Sequence, residues 1–98
     1  MTNVTTFYDN YWAELRKLLS EESPSKLGEL GSMIIDCHRR GGKIIVVGNG
    51  GSAAIASHAA VDLTKAAKIS AICFNESSLI TCLANDFGYQ KWVQKALE

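Results

Sequence analysis

Lys43-Ile44-Ile45-Val46-Val47-Gly48-Asn49-Gly50-Gly51-Ser52 runs straight from a β-branched stretch into a glycine-rich turn, and a small-residue segment follows from Ala53. The run has no polar alternation, which is how a strand covered on both faces reads, and such strands are usually parallel with helices on each side. Residues 53–67 predict a helix, and residues 69–74 a second buried strand of the same kind. Residues 77–84 predict a short helix, Asn85-Asp86 a polar turn, and residues from 89 onward a last helix. Strand alternates with helix, so the class is α/β with a parallel sheet.

Upstream, Phe7, Tyr11, Trp12, Leu15, Leu18 and Leu19 recur at helical spacing over residues 6–19, an amphipathic helix with its large aromatics on the buried side. Ser23 reads as an N-cap with Pro24 at the first helical position. A second helix is predicted over 24–40, with Arg39-Arg40 on its last turn and Gly41-Gly42 as its stop. One partial domain over residues 1–98 is expected, with N-terminal helices at 1–40 and a βαβα portion at 43–98. Two parallel strands leave both sheet edges unpaired, so the pattern is that of the N-terminal half of a doubly wound domain. A fragment is the favoured reading, and a sheet completed by a partner chain the other.

Composition narrows the function. Ten Lys/Arg balance ten Asp/Glu, so no electrostatic footprint for nucleic acid exists. With 47% hydrophobic residues and zero net charge, disorder is not expected. No apolar run reaches the roughly 20 residues of a membrane helix. The start, Met1-Thr2-Asn3-Val4-Thr5, has neither a basic nor an apolar leader region, and the expected compartment is the cytoplasm. Cys37, Cys73 and Cys82 are odd in number and form no CxxC, so they read as small buried hydrophobes.

The chemistry lies in the turn. A strand feeding glycines and then a helix N-terminus leaves backbone N–H groups pointing outward, with the helix dipole adding positive charge. That suits an anion or the oxygens of a sugar. Asn49 and Ser52 can add side-chain hydrogen bonds, although Ser52 is equally readable as the helix N-cap. The pentapeptide is neither a GxGxxG nor a P-loop. On the following helix His58 and Asp62 are four apart and share a face, with Lys65 three beyond. The pair can grip a divalent metal or supply a proton acceptor; alternatively Asp62 pairs with Lys65 and His58 is structural. His38, with no such partner, is read as structural.

Gly48-Asn49-Gly50-Gly51-Ser52, then His58-Ala59-Ala60-Val61-Asp62-Leu63-Thr64, then Ala84-Asn85-Asp86-Phe87-Gly88 together resemble the SIS-domain (sugar isomerase) family, and within it the phosphoheptose isomerases most closely. The resemblance covers the whole chain but about the first half of the family's domain. It implies a sugar-phosphate pocket lined by Asn49, Gly50, Gly51 and Ser52, with Asn85 and Asp86 on the substrate's hydroxyls. It implies His58 as a metal ligand, zinc where one is bound, and Asp62 as both metal ligand and catalytic base. The implied reaction converts sedoheptulose 7-phosphate to D-glycero-D-manno-heptose 7-phosphate through an enediol, in heptose synthesis for surface polysaccharide such as lipopolysaccharide.

Asp62 stands where the family has glutamate, shorter by roughly 1.5 Å, and a misplacement of about 1 Å can cost about a hundredfold. The family's phosphate-cradling Ser/Thr loop and its later glutamine and histidine fall beyond residue 98, so the chain alone is expected to be inactive. A non-catalytic SIS protein of the replication-initiation type, which binds the initiator protein, lacks the acidic residue, so Asp62 favours the enzyme. A sugar-phosphate-binding module of a regulator would also keep the turn, and the short length is equally that of a truncated product without function. Phe7, Tyr11, Trp12 and Leu15 offer more apolar surface than two strands can cover, which points to a homo-oligomer. The family forms tetramers, so a dimer or tetramer is expected.

Overall fold

A computed structural model describes residues 3–98; Met1 and Thr2, at the start of the segment read for a leader, lie outside them. The chain divides into two compact units, one ending at Ser32 and one running from Met33 to Glu98.

The first unit holds α1 (Val4–Glu21) and the start of α2 (Pro24–Arg39). Helix α1 begins two residues before the periodicity placed it, because Asn3 caps it: its Oδ1 accepts from the Thr5 N–H at 2.9 Å. Phe7 stacks on Tyr11 one turn on, with centroids 6.3 Å apart, and Tyr11 meets Trp12 edge-on at 5.5 Å. No residue of α1 is buried, contrary to the expectation of a covered aromatic face; Phe7, Tyr11 and Trp12 are each about half exposed. The predicted break is found, with Ser23 Oγ accepting from the Lys26 N–H at 3.4 Å and Pro24 at the first helical position.

The second unit carries the end of α2, β1 (Ile44–Val46), α3 (Gly51–Lys65), β2 (Ala71–Cys73), α4 (Ser77–Phe87), a 3-10 turn (Tyr89–Lys91) and α5 (Trp92–Leu97). Helix α2 stops in a Schellman motif: Gly41 takes φ 75°, its N–H donates to His38 O, and the Gly42 N–H donates to Cys37 O. Strands β1 and β2 pair in parallel, Ile44 with Ala71, Ile45 with Ile72 and Val46 with Cys73. Helix α3 crosses between them and packs on the sheet through Ala56 and Ala60, whose small side chains let helix and strands approach closely. Thr64 Oγ1 ties its last turn to Ala71 O at 3.2 Å.

Three expectations are corrected here. The strands are not covered on both faces: α3 takes one, while Ile45 and Ile72, directly opposite each other, remain 36% and 40% exposed on the other. The Asn85-Asp86 turn is instead the last turn of α4, which continues to Phe87 until Gly88, at φ 92°, ends it. The helical pattern of the apolar residues around it outweighs its local polarity. Cys37 and Cys73 are half-buried but Cys82 is exposed, so a buried role fails for that thiol. The remaining core is Trp92, 5% exposed, in the part of the unit where α4, the 3-10 turn and α5 pack together.

Candidate functional site

The glycine turn lies at the C-terminal end of β1 and opens α3 at Gly51. Two of its glycines are there for different reasons. Gly48 approaches the first turn of α3 so closely that a Cβ would lie 2.7 Å from the Ala53 nitrogen and nearer still to the Ser52 carbonyl. Gly50 sits at φ 58°, a left-handed conformation that side-chain-bearing residues resist. Gly50, and not Ser52, occupies the N-cap position, and no side chain caps the helix. Ser52 is already inside the first turn, its N–H donating to Asn49 O, while the Ala53 N–H donates to Gly50 O. Among the described residues the Gly50 and Gly51 N–H groups have no backbone acceptor. Two donors therefore face outward at the positive end of a fifteen-residue helix.

Two residues that sequence reasoning passed over hold this turn. Asn75 clamps the Gly48 peptide with both ends of its carboxamide: Oδ1 accepts from the Gly48 N–H at 2.9 Å and Nδ2 donates to the Gly48 carbonyl at 2.6 Å. Extending the strand register by two residues places Gly48 opposite Asn75, a pairing that only the folded sheet supplies. Tyr89 donates its hydroxyl to Asn49 Oδ1 at 2.5 Å. No local signal marked it, since it lies 40 residues away from Asn49.

A cleft of about 340 Å³ opens beside the turn, with Val47, Gly48 and Asn49 on one side and Tyr89, Gln90, Trp92 and Val93 on the other. Of the residues nominated from sequence, it includes Asn49. Gly50, Gly51 and Ser52 flank it at the start of α3, and Asn85 and Asp86 sit in the last turn of α4 just ahead of Tyr89. Asn85 Nδ2 donates to Asp86 Oδ1 at 3.1 Å. A second concavity, about 480 Å³ along α3 and β2, is lined by none of the nominated residues.

His58 and Asp62 are brought together but stand apart from the cleft. His58 Nε2 is 3.4 Å from Asp62 Oδ1, both side chains are largely exposed, and Lys65 makes no ion pair with Asp62. At 1.5 Å per residue, His58 lies about 10 Å up α3 from Gly51. Zinc takes three or four protein ligands. Here the pair supplies two donors, and no group of three or more His, Cys, Asp or Glu side chains assembles among the described residues. The pair fits part of a zinc site and does not complete one.

Residues 6–96 match the family model of the SIS domain. The chain belongs to the SIS-domain family. Among similar curated proteins, the phosphoheptose isomerase of Pelobacter propionicus is 31% identical over 90 residues, covering 86% of this chain and 48% of that protein. Phosphoheptose isomerase 1 of Campylobacter jejuni is 31% identical over 87 residues, 81% of this chain and 47% of its own length. The phosphoheptose isomerase of Fusobacterium nucleatum is 30% identical over 102 residues, 98% of this chain and 53% of its own length. The SIS chain thus spans about half the length of the curated relatives it matches. No helix among its described residues is long and apolar enough to cross a membrane.

Proposed function

We propose that this SIS chain forms the sugar-phosphate-binding part of a cytoplasmic, homo-oligomeric aldose–ketose isomerase acting on sedoheptulose 7-phosphate. The observation that carries the reading is the turn itself: two unpartnered N–H donors at a helix N-terminus, with Asn49 beside them, in a chain whose relatives are named phosphoheptose isomerases. Gly50, Gly51, Asn49 and Ser52 would hold substrate oxygens, and Asn85 and Asp86 its hydroxyls. Asp62 would take the proton from the hydroxymethyl carbon beside the ketone. As the ketone oxygen gains a proton the enediol forms; it would be reprotonated on the former carbonyl carbon while the terminal hydroxyl loses its proton, leaving the aldose. No atom is gained or lost. The His58–Asp62 contact does not prevent this, because an exposed pair of this kind is worth about 0–1 kcal/mol and exchanges readily. Zinc, where bound, would polarise substrate oxygens and would take His58 and Asp62 as two of its ligands.

The test is Asp62→Asn in the full chain. Loss of a general base costs about 10²–10⁴ in kcat, with KM and melting temperature near those of the parent because the side chain is exposed. Undiminished turnover would remove Asp62 from the mechanism. The 98-residue chain alone is expected to show no turnover. A binding module without catalysis is the second reading, and the separation of His58 and Asp62 from the cleft favours it. It predicts sugar-phosphate affinity but no isomerisation in the full chain.

A further inference from the structure

We infer that Tyr89 is a positioning residue that holds the Asn49 carboxamide at the turn by its oxygen end, leaving the NH2 end for a ligand. The inference rests on the sugar-phosphate reading above and adds to it what holds the Asn49 amide toward the ligand. Tyr89 donates to Asn49 Oδ1, which engages the oxygen end of the amide. The NH2 end has no partner among the described residues and is what remains for a ligand. Gly48 cannot offset this with an exposed carbonyl, because Asn75 engages both polar groups of its peptide. The Asn49 and Gly50 carbonyls are likewise taken, by the N–H groups of Ser52 and Ala53. Among the described residues the turn keeps the N–H of Gly50, the N–H of Gly51 and the Asn49 NH2 as donors, with the Ser52 hydroxyl able to donate or accept. The Asn49 NH2 held in this way selects an acceptor oxygen, whether carbonyl, hydroxyl or phosphoryl, because a donor placed against it would leave two donors facing each other unpaired. Gly88, at φ 92°, ends α4 and redirects the chain so that Tyr89 follows at once.

The test is a double-mutant cycle in the full chain, with sedoheptulose 7-phosphate binding measured by calorimetry and the Asn49 side-chain NH2 resonances followed by 15N NMR without ligand. Tyr89→Phe keeps the ring and removes only the hydroxyl. It is expected to weaken binding roughly three- to tenfold, the worth of one hydrogen bond. The same change in an Asn49→Ala background is expected to alter affinity negligibly, since Tyr89 acts through Asn49. An equal loss in both backgrounds, or no loss in the parent, overturns the inference. If the parent does not bind the sugar phosphate, the functional reading fails, and the resonances decide the inference separately. A shift of the Asn49 NH2 pair on Tyr89→Phe sustains the positioning role, and unmoved resonances overturn it.

Discussion

Replacing Gly48 with alanine tests the geometry of the turn more directly than any other change. The added methyl would lie 2.7 Å from the Ala53 nitrogen and closer to the Ser52 carbonyl, where non-bonded atoms want about 3.5 Å. The two backbones must separate by roughly an ångström. That moves the start of α3 off the end of β1 and strains both hydrogen bonds from Asn75 to the Gly48 peptide. Overpacking costs about 1–3 kcal/mol, and the two bonds contribute about 0.5–1.5 kcal/mol each. The expected loss is therefore about 2–6 kcal/mol. In a chain of this size that is a melting temperature lower by about 10 °C or more. Gly51→Ala is the control, because a Cβ at Gly51 meets nothing within 4 Å. Thermal unfolding followed by circular dichroism should separate the two variants clearly. Equal melting temperatures for Gly48→Ala and the parent would refute the close approach on which the whole site rests.

Asn75→Ala removes both bonds to Gly48 and leaves that half-buried peptide short of partners, so a loss of about 1–3 kcal/mol is expected in denaturant unfolding; Asn75→Asp, which sets a carboxylate oxygen against the Gly48 carbonyl, should cost at least as much. Glu76 caps α4, accepting from the Leu79 N–H at 2.9 Å, and that bond followed by one from Ser78 holds its carboxyl below the ordinary value. A depressed folded-state pKa adds stability above the unfolded value that is lost as pH falls through the folded one. Melting temperature should therefore drop on acidification below the ordinary glutamate range, and Glu76→Gln should flatten that part of the profile.

Local chemistry made much of the fold legible. Ser23-Pro24 starts α2, Gly41-Gly42 end it, and the step from aliphatic run to glycines places β1, the turn and α3 in order. Each of these signals acts within a few residues, through a cap, a fixed φ or a missing Cβ. Asn85-Asp86 misled because two polar residues before a glycine read as a turn, whereas the apolar pattern of residues 79–84 carries α4 on to Phe87. His58 and Asp62 share a face as their spacing predicts, and the structure pairs them with each other, not Asp62 with Lys65; their distance from the cleft could not be foreseen from one helix.

By itself the sequence determined the order of the helices and strands up to α4, the site of the glycine turn and the sharing of one helical face by His58 and Asp62. All follow from backbone propensity and the 3.6-residue period. Only the tertiary structure decided what holds the turn. Asn75 reaches Gly48 across 27 residues and Tyr89 reaches Asn49 across 40. Those contacts exist because parallel pairing sets the end of β2 beside the end of β1, and because Gly88 redirects the chain after α4. Neither is encoded in the neighbourhood of the residues it joins.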